Sequence, residues 1–382
     1  MTETARKSSA MVLTGGGARA AYQVGILRCL ARHFPEAEFP LLTGVSAGAI
    51  NATYLAASPT SLPDTAEGLT SMWTNLTPEK VFRVDSWSLL RNFLRWGLRL
   101  GSGGAAGAPK VQGLLDTSPL RSLLTKALRA DHGVVTGIGD NLERGRLRAF
   151  ATSTVRYSTG QTVTWVEGCQ MADWARPGRL GLGTRITVEH IMASAALPLV
   201  FPAIQIADSW YGDGGVRNHT PLAPAIHLGA DRILAVSTRH LRNSAEIEAT
   251  RLIDYPPPAQ LVGVLLNAIF LDAVDHDALQ LERINRLLSE IPETRLGRLR
   301  PIKLMVLRPS EDLGRLAAKF EPQLPRAFRF LTRGLGTREL RSPDFLSLLM
   351  FQPDYLTSLI EIGEKDAEAR LPELMAWMEP GL

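Results

Sequence analysis

Two glycine-rich junctions in the first 57 residues constrain the fold more than any other feature of this chain. MVLT (11–14) is a short apolar run; GGGARA follows it, and AAYQVGILRCLARHF then places Val24, Leu27 and Leu30 at helical spacing. LLTGV (41–45) is the next apolar run, and beyond Ser46 the alanine-rich AGAINATYLAA begins a second helix. Strand, glycine loop, helix, strand, glycine–serine turn, helix is the order of an α/β domain with a parallel sheet. Further strands are expected at 147–154, 162–166, 203–207, 232–238 and 302–309. Ser118 before Pro119 predicts an N-cap and first helical residue, opening a helix to Ala130, and a long helical stretch is expected over 258–291. The expected architecture is three-layer α/β/α around a central, mostly parallel sheet. A disordered tail at 1–8 precedes the α/β domain at 9–310, and a helical C-terminal extension follows at 311–382.

Composition narrows the function classes. Of 382 residues, 45% are hydrophobic and 21% charged, which excludes disorder as the main state. The net charge is +4, and only seven of the 42 basic residues are lysine. No nucleic-acid-binding pattern is present, while a mild basic excess is compatible with an anionic membrane touched peripherally. Cys29 and Cys169 lie far apart with no metal-type spacing, which fits a reduced, cytoplasmic setting. MTETARKSSA is polar, MVLT is too short for a signal-peptide core, and the sequence has no run of 18 apolar residues, so nothing is expected to span a bilayer.

Three stretches carry chemistry. Gly44-Val45-Ser46-Ala47-Gly48 fits a G-x-S-x-G turn between strand and helix, which lifts a serine hydroxyl out of a sheet edge and sets the Ala47 amide at a helix N-terminus. TGGGARAA (14–21) leaves several amides unpaired and turned outward. These amides suit an oxyanion hole, where one donor contributes about 3–4 kcal/mol. They also suit a pyrophosphate, because Gly15, Gly17 and Ala20 fit G-x-G-x-x-[GA]; the acid that a dinucleotide site wants after the second strand is missing. In WYGDGGVRNHTPL (210–222), Asp213 precedes Gly214 and Gly215, either as a plain hairpin turn or as a carboxylate presented to Ser46.

In this order GGGARA, GVSAG, ASAALPLVFP (193–202) and DGG resemble the patatin-like phospholipase family over residues 8–240. The resemblance implies that Ser46 is a nucleophile and Asp213 its partner in a Ser–Asp dyad. It implies an oxyanion hole at Gly15, Gly16, Gly17 and Ala18, with Gly44, Gly48, Arg19, Gly214 and Gly215 in support. The implied reaction is lipid acyl-ester hydrolysis of the phospholipase A or lysophospholipase type through an acyl-enzyme, with no metal or organic cofactor. Ala20 departs from the family's usual glycine.

Three rival readings stand beside it. One is a nucleotide-binding α/β module. Another is a triad using His219 or His240. The third is a lipid-binding pseudoenzyme. The expected location is cytoplasmic, peripheral at the inner membrane, with the oligomeric state open. Residues 85–101 carry Arg91, Arg95 and Arg99 on one helical stripe, and 85–110 is a candidate lid. Arg19 is expected to bind a nearby carboxylate in preference to a lipid phosphate.

Overall fold

The computed structural model describes residues 8–83, 113–168, 174–242, 257–270, 273–292, 299–326 and 344–379, with isolated positions between these spans. The candidate lid at 85–110 lies outside the described residues apart from 98, 99, 101 and 102, as does the expected tail apart from Ser8.

The opening segments form β1 (Ser9–Leu13), α1 (Ala21–His33), β2 (Leu41–Val45) and α2 (Ala47–Ala57). Helices α3 (Leu62–Thr74), α4 (Pro78–Val81), α5 (Ser118–Ala127) and α6 (Thr136–Glu143) follow. Then come β3 (Ala149–Arg156), β4 (Thr162–Gly168), β5 (Trp174–Arg176), β6 (Arg179–Gly183) and α7 (Val188–Ser194). A hairpin of β7 (Ile204–Ile206) and β8 (Ser209–Asp213) leads to α8 (Ala223–His227), β9 (Arg232–Val236), α9 (Pro258–Phe270), α10 (Ala273–Ser289) and β10 (Lys303–Leu307). The chain ends in α11 (Leu313–Phe320), α12 (Asp344–Leu349), α13 (Pro353–Ala369) and α14 (Leu371–Met378).

The sheet runs β10-β9-β1-β2-β3-β4-β6-β5. It is parallel from β10 to β3 and mixed beyond, since β4 and β8 both run antiparallel to β3. Alternation along the strands splits the core into two layers. Met11, Leu13, Leu42, Phe150 and Leu234 point to a large core shared with α1, α2, α3 and α13. Ala10, Val12, Leu41, Ala149 and Ile233 point to a smaller core with Leu222, Ala225 and Leu281 of the α8–α10 side.

Three local expectations change. Thr117, not Ser118, is the N-cap of α5, so Pro119 falls in its first turn without needing the serine as cap. The stretch at 258–291 is two helices, α9 and α10. DGG is not a hairpin tip: Asp213 ends β8, and the hairpin turn lies earlier, between β7 and β8.

Candidate active site

The sheet edge that gathers the site follows from one register. β2 pairs parallel with β3, ending at Val45 opposite Ser153. β8 pairs antiparallel with the rest of β3, so that Asp213 sits opposite Thr154. The two strands therefore meet tip to tip beside β3, and the residue after one tip, Ser46, faces the last residue of the other, Asp213.

Each tip is shaped by close backbone approach. Ser46 has φ 55° and ψ −133°, a strained conformation of the kind that exposes a nucleophile between strand and helix. A Cβ on Gly44 would lie 2.6 Å from the Gly48 carbonyl oxygen, and one on Gly48 would lie 2.3 Å from those of Leu13 and Thr14. At the other tip, a Cβ on Gly214 would lie 2.1 Å from the Ser153 carbonyl oxygen, and the Gly215 amide donates to Asp213 Oδ1 at 2.8 Å.

Asp213 is fully buried and Ser46 is 7% exposed. Burial pushes the Asp213 carboxyl up to about 7, while the Ser46 hydroxyl and the Gly215 amide hold it down. Oδ2 of Asp213 has no hydrogen-bond partner of normal geometry. Ser46 is the hydrogen-bonding side chain that acts on this carboxyl, in a contact outside normal hydrogen-bond geometry. Such contacts are often loose before substrate binds.

The glycine loop lies over the serine. A Cβ on Gly15 would sit 3.0 Å from Cβ of Ser46. Gly16 has φ 149° and Gly17 φ 54°; side chains there would strike Thr238 Oγ1 and the Leu348 carbonyl oxygen. Thr238 donates to the Gly15 carbonyl at 2.6 Å. Beneath the loop a buried chain ties it to α2: Trp73 donates to Asn51, Asn51 to Gln23, and Gln23 to the Thr14 carbonyl, at 2.8–2.9 Å. Ala18 is buried within the 3-10 turn Gly17–Ala20, and the Ala47 amide opens α2. The Arg19 guanidinium is buried against Asp344 and Ser347.

Sequence reasoning missed Ser194. Its hydroxyl donates to the Ser153 carbonyl at 2.8 Å and accepts from the Ser46 amide at 3.0 Å, fixing the backbone of the strained turn. It lies in ASAALPLVFP, whose sequence carries the family resemblance without marking this hydroxyl. Leu197 and Phe201 of that stretch line the cavity in front of Ser46.

This cavity encloses about 740 Å³, open solvent at its mouth included. Among the described residues, apart from Gly16, Gly17, Ser46 and Trp73, its wall is aliphatic, thioether or phenyl, with Met72, Leu76, Leu124, Leu348, Leu349 and Phe351 among the contributors. Among the described residues no histidine lines it. His219 is exposed, and the His240 ring nitrogens face the Pro309 carbonyl at 3.0 Å and Glu246 at 3.2 Å. Among the described residues one trio has metal-ligand chemistry, Cys29, His33 and Glu368, and none of the three lines the cavity.

The family model for patatin-like phospholipase matches residues 11–226. No curated protein matches the chain. Among solved structures it is similar to VipD from Legionella pneumophila, at 12% identity and TM-score 0.39, over 96% of this chain and 67% of that one. It is similar to human GIVD cytosolic phospholipase A2 at 14% identity and TM-score 0.45, over 99% of this chain and 60% of that one. ExoU, a type III effector of Pseudomonas aeruginosa, shares 15% identity at TM-score 0.30, over 90% of this chain and 77% of that one. The chain thus spans 60% of the human enzyme's length and 67% of VipD's. With more than half of its length matched by the family model, the chain belongs to the patatin-like phospholipase family.

Proposed function

We propose that the chain is a lipid acyl-ester hydrolase of the phospholipase A or lysophospholipase type, working through Ser46 and Asp213. The observation that carries this reading is the meeting of the β2 and β8 tips at the wall of an apolar cavity. Ser46 Oγ attacks the ester carbonyl as its proton passes to Oδ2 of Asp213. The carbonyl oxygen becomes an oxyanion, held by amides of the Gly15–Ala18 loop and of Ala47. Collapse expels the alcohol, which takes the proton from Asp213 and leaves an acyl ester on Ser46. Water then attacks that ester as Asp213 accepts its proton; collapse expels Ser46 Oγ, which takes that proton back, and the fatty acid leaves. The aliphatic wall suits an acyl chain.

Among the described residues the cavity wall carries no cationic side chain to pair with a pyrophosphate, which favours the hydrolase over the nucleotide-binding reading. The substrate reaches the site from a lipid aggregate touched peripherally; no helix of the described residues is long and apolar enough to cross a membrane.

The test is hydrolysis of a p-nitrophenyl ester series by wild type, Ser46→Ala, Asp213→Asn and His240→Ala. The first two variants should lose about a thousandfold or more of kcat, as removal of a nucleophile or its base does elsewhere, and the third should stay active. Lipid binding without turnover in the wild type would point to the pseudoenzyme instead, and loss of activity in His240→Ala to the triad.

A further inference from the structure

We propose that Asp344 is a positioning residue for the glycine loop, and that α12, which it opens, belongs to the active site as its far wall. This rests on the hydrolase reading above. It reaches a part of the chain far beyond the family-matched span, which ends at residue 226.

Arg19 follows directly on the glycine loop, and its side chain is 4% exposed. Its Nη2 donates to Asp344 Oδ1 at 2.6 Å and its Nε donates to Ser347 Oγ at 2.7 Å. The Ser347 hydroxyl donates in turn to the Asp344 carbonyl at 2.6 Å, closing a compact ring. The second carboxylate oxygen of Asp344 accepts from Asn267 at 2.7 Å and from Arg242 at 3.3 Å. A charged fork held on both sides has one orientation open to it.

The consequence reaches the loop through backbone contact. Gly17 approaches the Leu348 carbonyl so closely that a Cβ there would lie 2.2 Å from it. The next residues, Leu349 and Phe351, line the cavity together with Leu348. One ion pair therefore fixes two things at once, the seat of the loop amides and the wall that an acyl chain would meet. The Arg19 charge is spent on this internal pair, so it is not aimed at a lipid phosphate.

The experiment uses full-length Asp344→Asn, which keeps the shape of the side chain and removes its charge. Ser46 is titrated with a fluorophosphonate probe, recording both the fraction of protein labelled and the labelling rate, alongside kcat and KM for a p-nitrophenyl ester. Positioning predicts full labelling at a rate reduced about ten- to hundredfold, the scale on which a small misplacement of catalytic groups acts. It predicts a parallel fall in kcat with KM changed by less than about twofold. A purely structural role would lower the labelled fraction and leave the rate of each competent site at the wild-type value; that result, or wild-type behaviour throughout, overturns the proposal.

If Asp344→Asn does not fold, Ser347→Ala removes the partner of Nε and the hydroxyl bond to the Asp344 carbonyl but leaves the Arg19–Asp344 pair, and the same pattern is expected at about threefold. A wild-type labelling rate there overturns the proposal equally. Wild-type enzyme labelled on a residue other than Ser46 would instead overturn the hydrolase reading itself, and this inference with it.

Discussion

In the proposed mechanism Asp213 sets the pH behaviour of the site. Buried entirely, its carboxyl titrates at about 7, and only the ionised form can accept the Ser46 proton. Turnover of an uncharged ester should therefore rise about tenfold per pH unit below 7 and level off above it, read as kcat/KM against pH. A flat profile between pH 5.5 and 8.5 would count against Asp213 as the base. The same shift costs stability. The native carboxyl holds its proton to about 7, whereas an unfolded one releases it near the ordinary value of 3.8. Across that window the native state binds more protons, so its stability falls as pH rises. The strained φ of Ser46 adds a second local cost at the same place.

At the scale of elements, the pairing of α1 with α13 decides how the C-terminal helices reach the site. The two helices touch through glycines. A Cβ on Gly25 would lie 1.9 Å from the Ile360 carbonyl oxygen, and one on Gly363 would lie 2.1 Å from that of Tyr22. Gly25→Ala gains helix propensity but forces the axes apart, and overpacking of this kind costs about 1–3 kcal/mol. The denaturation midpoint should therefore fall. Gly263→Ala in α9, whose added Cβ meets nothing closer than 3.5 Å, should leave the midpoint unchanged or raise it. Equal effects of the two substitutions would contradict this packing.

The elements also show what could be read from the residues alone. The glycine loop, the serine turn and β1, β2, β3, β4, β9 and β10 carry local signals, in apolar runs bounded by glycine. β8 does not, because SWYGD is short and its partners on β3 lie 55 to 59 positions earlier in the chain. β5 and β6 were invisible for the same reason, holding WAR and RLGLG with no buried alternation to mark them. Ser194 and Thr238 act through bonds spanning 148 and 223 residues, which no local pattern encodes. Asp213 stands out in the sequence through the two glycines after it and the family resemblance they carry; its burial and its raised pKa come from the tertiary fold.

At the scale of the whole molecule, residues far apart in sequence close one cavity. Its floor comes from the first 50 residues, its sides from α3, α5 and the 195–201 segment, and its far wall from 348–351. The C-terminal helices thus belong to the same three-layer body as the sheet, with α14 laying Trp377 over the Arg232 guanidinium of β9 at 4.9 Å. In the proposed reaction every acyl group passes through one hydroxyl, that of Ser46. Acid quenching in the first turnovers on a p-nitrophenyl ester, followed by peptide mass analysis, should find the acyl mass on the peptide holding Ser46 in wild type and none in Asp213→Asn. An acyl group on any other residue, or an Asp213→Asn protein acylated as fast as wild type, would contradict it.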